Sequence, residues 1–227
     1  MKMQMSKTLT GALCAGLISL GLASTAQALP LPSLESRLGG TAVYDPDLDI
    51  TWLADANAGA GSSFDNGSST TDGRMTWQNA NDWAASLTVG GFTDWRLPTA
   101  LNSDGSGPCV GLNCTGSEMG HLFYSELGGV AFTPIGATHN GSFNLFTNVQ
   151  SNVYWSATEF APNPSGAWGF RFDGGVQGTV GKDGNLFAWA VRSGDVAASA
   201  PEPATLVLLG LGLAGIGFGR RGKRRLC

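Results

Sequence analysis

The chain has 227 residues, 42% hydrophobic and 13% charged, with a mean hydropathy of +0.03 and a formal net charge of −4. These totals exclude a collagen-like repeat, a highly charged disordered tail and a polytopic membrane protein. Bases crowd the two ends, so residues 29–200 hold six bases against 16 acids, a body of about −10. Lys182 is the only lysine in that body, and so acidic a surface repels phosphate backbones, which excludes nucleic acid as a partner.

At the N-terminus, Lys2 and Lys7 precede an apolar run from Leu9 to Leu22 that ends in small residues and Ala26-Gln27-Ala28. That pattern predicts a secretory signal peptide over 1–28, cleaved after Ala28. Leu13 precedes Cys14 where lipid attachment needs a small residue, which argues against a lipoprotein anchor. Residues 29–40 read as a short leader, and one domain of ordinary size is expected over 41–194.

Within that domain, Val43-Tyr44 and Ile50-Thr51-Trp52 predict short strands, and 57–73 is a loop rich in Gly, Ser, Asn and Asp. If residues 45–49 are extended, Asp45, Asp47 and Asp49 point to one side, an oxygen set suited to calcium. The Gly and distal Glu of a twelve-residue calcium loop are missing, and solvated acids are the expectation. Trp77, Ala80, Ala84 and Leu87 mark one face of a first helix, flanked by Trp83 and capped by Thr76. A second helix is expected over Ser117–Leu127, burying Met119, Leu122, Phe123 and Leu127 and stopped by Gly128-Gly129.

Between the helices lies Gly90-Gly91-Phe92-Thr93-Asp94-Trp95-Arg96-Leu97-Pro98-Thr99. Asp94 and Arg96 flank Trp95, and two readings are open. They form a structural ion pair or backbone hydrogen bonds that pin the loop before Pro98, or an exposed Arg beside a Trp stacks on and hydrogen-bonds a sugar or carboxylate. Of the four cysteines, only Cys109 and Cys114 reach an oxidising compartment, since Cys14 leaves with the signal and Cys227 stays on the reducing side. A disulfide is expected, contributing about 2 kcal/mol through loop entropy. Zinc needs two further ligands that no cluster of His or Cys supplies, so no metal site and no cofactor are predicted.

The C-terminal third switches to alternation. Val153–Ser156, Trp168/Phe170/Phe172 and Phe187/Trp189/Val191 predict three or more strands, separated by Pro162-Asn163-Pro164, Asp173-Gly174-Gly175 and Asp183-Gly184-Asn185. Seven tryptophans supply a core without many Leu or Ile, since each ring buries about 150–250 Å². For catalysis there are two histidines, and His121 beside Leu122 reads as a partly buried helix residue. No nucleophile elbow, metalloprotease pair or phosphate-cradling loop is present.

The motif at 90–99, with Val43-Tyr44-Asp45, Ile50–Leu53, Ser151–Ser156 and Phe187–Arg192, resembles the Lcl C-terminal domain family over about 41–194. The resemblance implies a C-type-lectin-like α+β fold with two helices, a twisted antiparallel sheet and long loops, and no single activity. The loop and strand motifs of calcium-dependent lectins are missing here: Ala161 precedes Pro162-Asn163, and Asn81-Asp82-Trp83 falls on a predicted helix. After a linker at 195–200, Pro201-Glu202-Pro203, an apolar stretch from Ala204 to Phe218 and the cluster Arg220, Arg221, Lys223, Arg224 and Arg225 resemble the PEP-CTERM sorting signal. Fifteen helical residues reach only about 22 Å against a bilayer core of roughly 30 Å, a marginal span. The basic cluster holds the cytoplasmic side.

The resemblance implies an exosortase, a membrane protease, as partner, with transient anchoring and then release to the surface or exterior. The sequence therefore predicts an exported, non-enzymatic module that contacts extracellular matrix or exopolysaccharide. The alternative is an extracellular enzyme on the lectin-like scaffold. Binding predicts Trp or Tyr exposed on the long loops; an enzyme predicts His121 or His139 with a carboxylate in a concave pocket.

Overall fold

A computed structural model describes residues 34–196. The segment expected to be a signal peptide, with Ala28, and the C-terminal segment with Pro201, Glu202, Pro203, the apolar stretch and the basic cluster, lie outside the described residues. The architecture is α+β with mostly strands, in two sheets. The first sheet has the order β1-β2-β3-β10 (Glu35–Arg37, Ala42–Asp45, Ile50–Leu53 and Val191–Ser193), and all its pairs are antiparallel. The second has the order β4-β9-β6-β7-β8-β5 (Arg74–Met75, Leu186–Phe187, Val153–Glu159, Gly166–Arg171, Val176–Gly181 and Gly111–Leu112). Its β6–β9 pair is parallel, so the expected single antiparallel sheet becomes one antiparallel and one mixed sheet.

Two chain ends expected outside the domain are part of it. Glu35–Arg37 pairs with β2, and Leu34 and Val196 are buried. Arg37 reaches Asp195 at 2.8 Å and joins the two ends.

Helix α1 (Trp77–Ser86) buries Ala80, Trp83 and Ala84, so Trp83 belongs to the buried face and not to its flank. Thr76 takes the N-cap position but its hydroxyl caps nothing. The second helix departs further from expectation. Only Glu118–His121 is α-helical (α2), and Leu122–Glu126 continues as a π turn. Leu127 N–H donates to Leu122 O at 2.9 Å, an i→i+5 bond. Ser117 caps α2 by accepting from Gly120 N–H, Gly128 turns out at φ 70°, and Met119, Leu122, Phe123 and Leu127 are all buried.

The expected strand at 187–192 divides in two. Phe187 pairs with Tyr154 in the second sheet, while Val191 pairs with Trp52 in the first. The run between them crosses from one sheet to the other, which is why Ala188 and Ala190 are buried along with Trp189. Strand β8 gave no apolar signal, because its Gly, Gln and Thr join the sheet through backbone pairing with β7.

Six of the seven tryptophans are buried (Trp52, Trp83, Trp95, Trp155, Trp168 and Trp189), which bears out an aromatic core. Trp189 meets Trp52, Phe146, Tyr154 and Phe172 at centroid distances of 5.2 to 5.7 Å. A buried indole usually finds an acceptor for its N–H. Trp189 donates to Leu53 O and Trp155 to Met75 O, both at 2.8 Å, so these rings tie strands together as well as fill space.

Candidate functional site

The motif at 90–99 runs along the free edge of β10, where Arg96 and Val191 exchange two backbone hydrogen bonds of 2.8 Å. That pairing sends alternate side chains in opposite directions. Trp95 turns inward, is 2% exposed and donates its indole N–H to Phe92 O at 3.2 Å. No face of its ring is open to a ligand.

Asp94 and Arg96 do not meet each other. Asp94 accepts two bonds from Arg192, of 2.8 and 3.0 Å, and this fork holds its carboxyl below the usual range. Arg96 forks Glu118 at 2.7 and 2.8 Å, and Thr99 N–H donates to the same carboxylate at 2.7 Å. The bidentate contact with Glu118 raises the guanidinium pKa above its ordinary value, and Glu118 is 9% exposed. Both residues are held in ion pairs, not with each other but with partners that come from distant elements.

Arg96 and Glu118 form the floor of a surface cleft of about 340 Å³. Leu48 and Asp49 come from the β2–β3 turn, Ile50 from the start of β3, Thr99 from the end of the motif, Leu101 and Asn102 from the loop after it, and Ser193 from the end of β10. Its polar groups suit hydrogen bonding to a small polar unit. Among the described residues no tryptophan or tyrosine is exposed, and Phe132, 80% exposed, is the one phenylalanine left open. The expectation of Trp or Tyr on the long loops is therefore not met, because the core claims those rings. The nearby loop is closed by the Cys109–Cys114 disulfide, and Gln177 of β8 donates to Cys109 O at 2.8 Å.

A second constellation lies at the end of β2. Asp45 was expected among solvated acids, but it is fully buried. Its Oδ1 accepts from Asp47 N–H and Leu48 N–H at 3.1 and 3.3 Å, which forms the turn. Its Oδ2 has no hydrogen-bond partner and faces His121 Nε2 at 3.8 Å. Glu126 Oε1 lies 3.3 Å and Asp47 Oδ2 4.0 Å from the same nitrogen. At 3.3 Å the Glu126 contact is close but misaligned, and Nε2 makes no hydrogen bond. Burial pushes the Asp45 carboxyl up, while Glu126 first, then Asp45 and Asp47, raise the imidazole of His121.

The three aspartates do not share a row, since 46–49 is a turn and Asp49 instead accepts from Tyr44 OH at 2.9 Å. Sequence reasoning missed Glu118 and Glu126 altogether. A helical wheel places positions five apart about 140° from each other, so it hides the His121–Glu126 pair that the π turn creates. His139 is exposed and stacks on Phe143 at 4.1 Å, far in role from any carboxylate cluster.

Fold and site together define an α+β domain of mostly strands that carries a polar surface cleft. Its destination comes from outside the described residues. The family model of the PEP-CTERM protein-sorting motif matches residues 199–225. That motif implies recognition by an exosortase, a membrane protease, and accords with export to the cell surface. No curated protein matches the chain. Among the described residues no helix is long and apolar enough to cross a membrane.

Proposed function

We propose that this protein is an exported, surface-associated or secreted non-enzymatic module that binds extracellular matrix or exopolysaccharide. In this reading the domain has a C-type-lectin-like scaffold and the cleft at Arg96 is the ligand seat. The observation that carries export is the sorting motif at 199–225, and the pattern of Lys2, Lys7, an apolar run and Ala26-Gln27-Ala28 accords with it. Binding without catalysis is supported by the cleft's chemistry. Its buried acid, Glu118, is already held by Arg96 and Thr99, and its exposed acid, Asp49, accepts from Tyr44 OH. The body's charge of about −10 favours a neutral polysaccharide, or an anionic one bridged by cations.

Two experiments test the two halves. Mass spectrometry of the mature protein from whole cells is expected to show loss of residues 204–225, and retention of that segment overturns processing. Purified exported protein on an array that includes the host's own exopolysaccharide is expected to bind, with Asn102→Ala weakening binding about tenfold by loss of a cleft hydrogen bond. No binding to any polysaccharide removes the ligand assignment.

A further inference from the structure

We propose that Asp45, His121 and Glu126, with Asp47 as a fourth ligand, form a binding site for a divalent transition-metal ion of the zinc class. The site is separate from the cleft and stands whether or not the cleft binds a polysaccharide.

Geometry is the first support. One ligand atom from each of Asp45, His121 and Glu126 can be chosen so that all lie within 4.8 Å of one another. From His121 Nε2 the three carboxylate oxygens stand at 3.3, 3.8 and 4.0 Å. Tetrahedral zinc with bonds of about 2.1 Å separates its ligands by about 3.4 Å, so an ion fits with carboxylate shifts of under about 1 Å.

The second support is an independent one. Asp45 is fully buried, and its Oδ2, aimed at this centre, has no hydrogen-bond partner; neither has His121 Nε2, whose neighbours at 3.3 to 4.0 Å are the same carboxylates. A buried polar atom without a partner is costly and demands an explanation. Backbone donors fix the other Asp45 oxygen, so Oδ2 cannot turn away to find one.

Charge gives a third. Three carboxylates face one imidazole, and a proton on that ring neutralises only one of them. A divalent ion neutralises two, by direct bonds, and leaves the neutral imidazole as a nitrogen ligand. The ring also selects the metal class: calcium and magnesium prefer all-oxygen sets, whereas imidazole suits zinc.

Local structure accounts for the assembly. The π turn at Leu122–Glu126 brings Glu126 round to His121, while the last residue of β2 supplies Asp45 and the turn after it Asp47. Metal would clamp that turn to the second helix. Leu48 and Asp49 of the turn and Glu118 of the helix are also cleft walls.

The test uses the purified chain, stripped with a chelator and titrated with zinc chloride by calorimetry and thermal unfolding. One equivalent is expected to bind and to raise Tm by about 5 °C or more at saturation, with calcium at the same concentration having no effect. Asp45→Asn keeps the Oδ1 turn contacts, Glu126→Gln keeps the side-chain shape, and each is expected to weaken zinc binding by tenfold or more. His139→Gln and Cys227→Ser, which remove other zinc-reactive groups, are expected to change nothing. If Asp45→Asn fails to fold by circular dichroism, the less buried Glu126→Gln decides. The proposal is overturned by absence of stoichiometric zinc binding, by unchanged affinity in Glu126→Gln, by loss of binding in His139→Gln or Cys227→Ser, or by calcium acting as well as zinc.

Discussion

Trp95 is packed in the core between two arginine–carboxylate pairs that lead away from it. Its value is therefore structural, and Trp95→Ala is expected to cost about 3–5 kcal/mol, read from the denaturant midpoint. Asp94 tests a smaller effect. Its folded pKa lies below the ordinary value of about 4, so the pair with Arg192 adds stability above that pH and loses it as pH falls through the depressed value. The Asp94 side chain is 57% exposed, which limits the contribution to under about 1 kcal/mol. Asp94→Asn is expected to be less stable than the parent at pH 7 and to converge with it as pH falls through the depressed carboxyl value, in paired urea titrations. The residue types at 94–96 were legible from sequence, and their partners were not. Arg192 is 98 positions from Asp94 and Glu118 is 22 from Arg96, and no local pattern connects them.

At the scale of elements, α1 was legible because its apolar spacing is regular, and the second helix was legible only in its buried face. Met119, Leu122, Phe123 and Leu127 are buried as expected, yet the backbone that carries them changes from α to π. Gly120 shows the packing that constrains this helix. A Cβ there would collide with the backbone carbonyl oxygen of Cys114 and crowd the Ser117 hydroxyl. Alanine gains about 1 kcal/mol in intrinsic helix propensity over glycine, but that steric conflict costs about 1–3 kcal/mol. Gly120→Ala is accordingly expected to lower Tm, and a raised Tm would show that the helix start can move away from Cys114. Strand β8 and the divided run at 186–193 were illegible for a different reason. Backbone pairing does not require apolar side chains, and alternation does not report which sheet a residue joins.

For the whole molecule, the two sheets share one aromatic core, and the disulfide closes a surface loop beside them. Replacing both cysteines, Cys109→Ser with Cys114→Ser, is expected to cost about 2 kcal/mol by freeing the unfolded chain, with the fold retained. Near-native circular dichroism with a lower unfolding midpoint is the expected result, and complete unfolding would mean that the loop nucleates the domain. The sequence by itself determined the α+β class, the aromatic core, the cysteine pair and the sorting address, because these depend on composition, short periods and contiguous motifs. Only the tertiary structure decided that the motif tryptophan is buried, that a single run of chain serves two sheets, and that Asp45 meets His121 and Glu126. The physical reason is that burial and ion pairing join residues far apart in the chain, and a one-residue change in helical register can bring together side chains that a regular α-helix keeps apart.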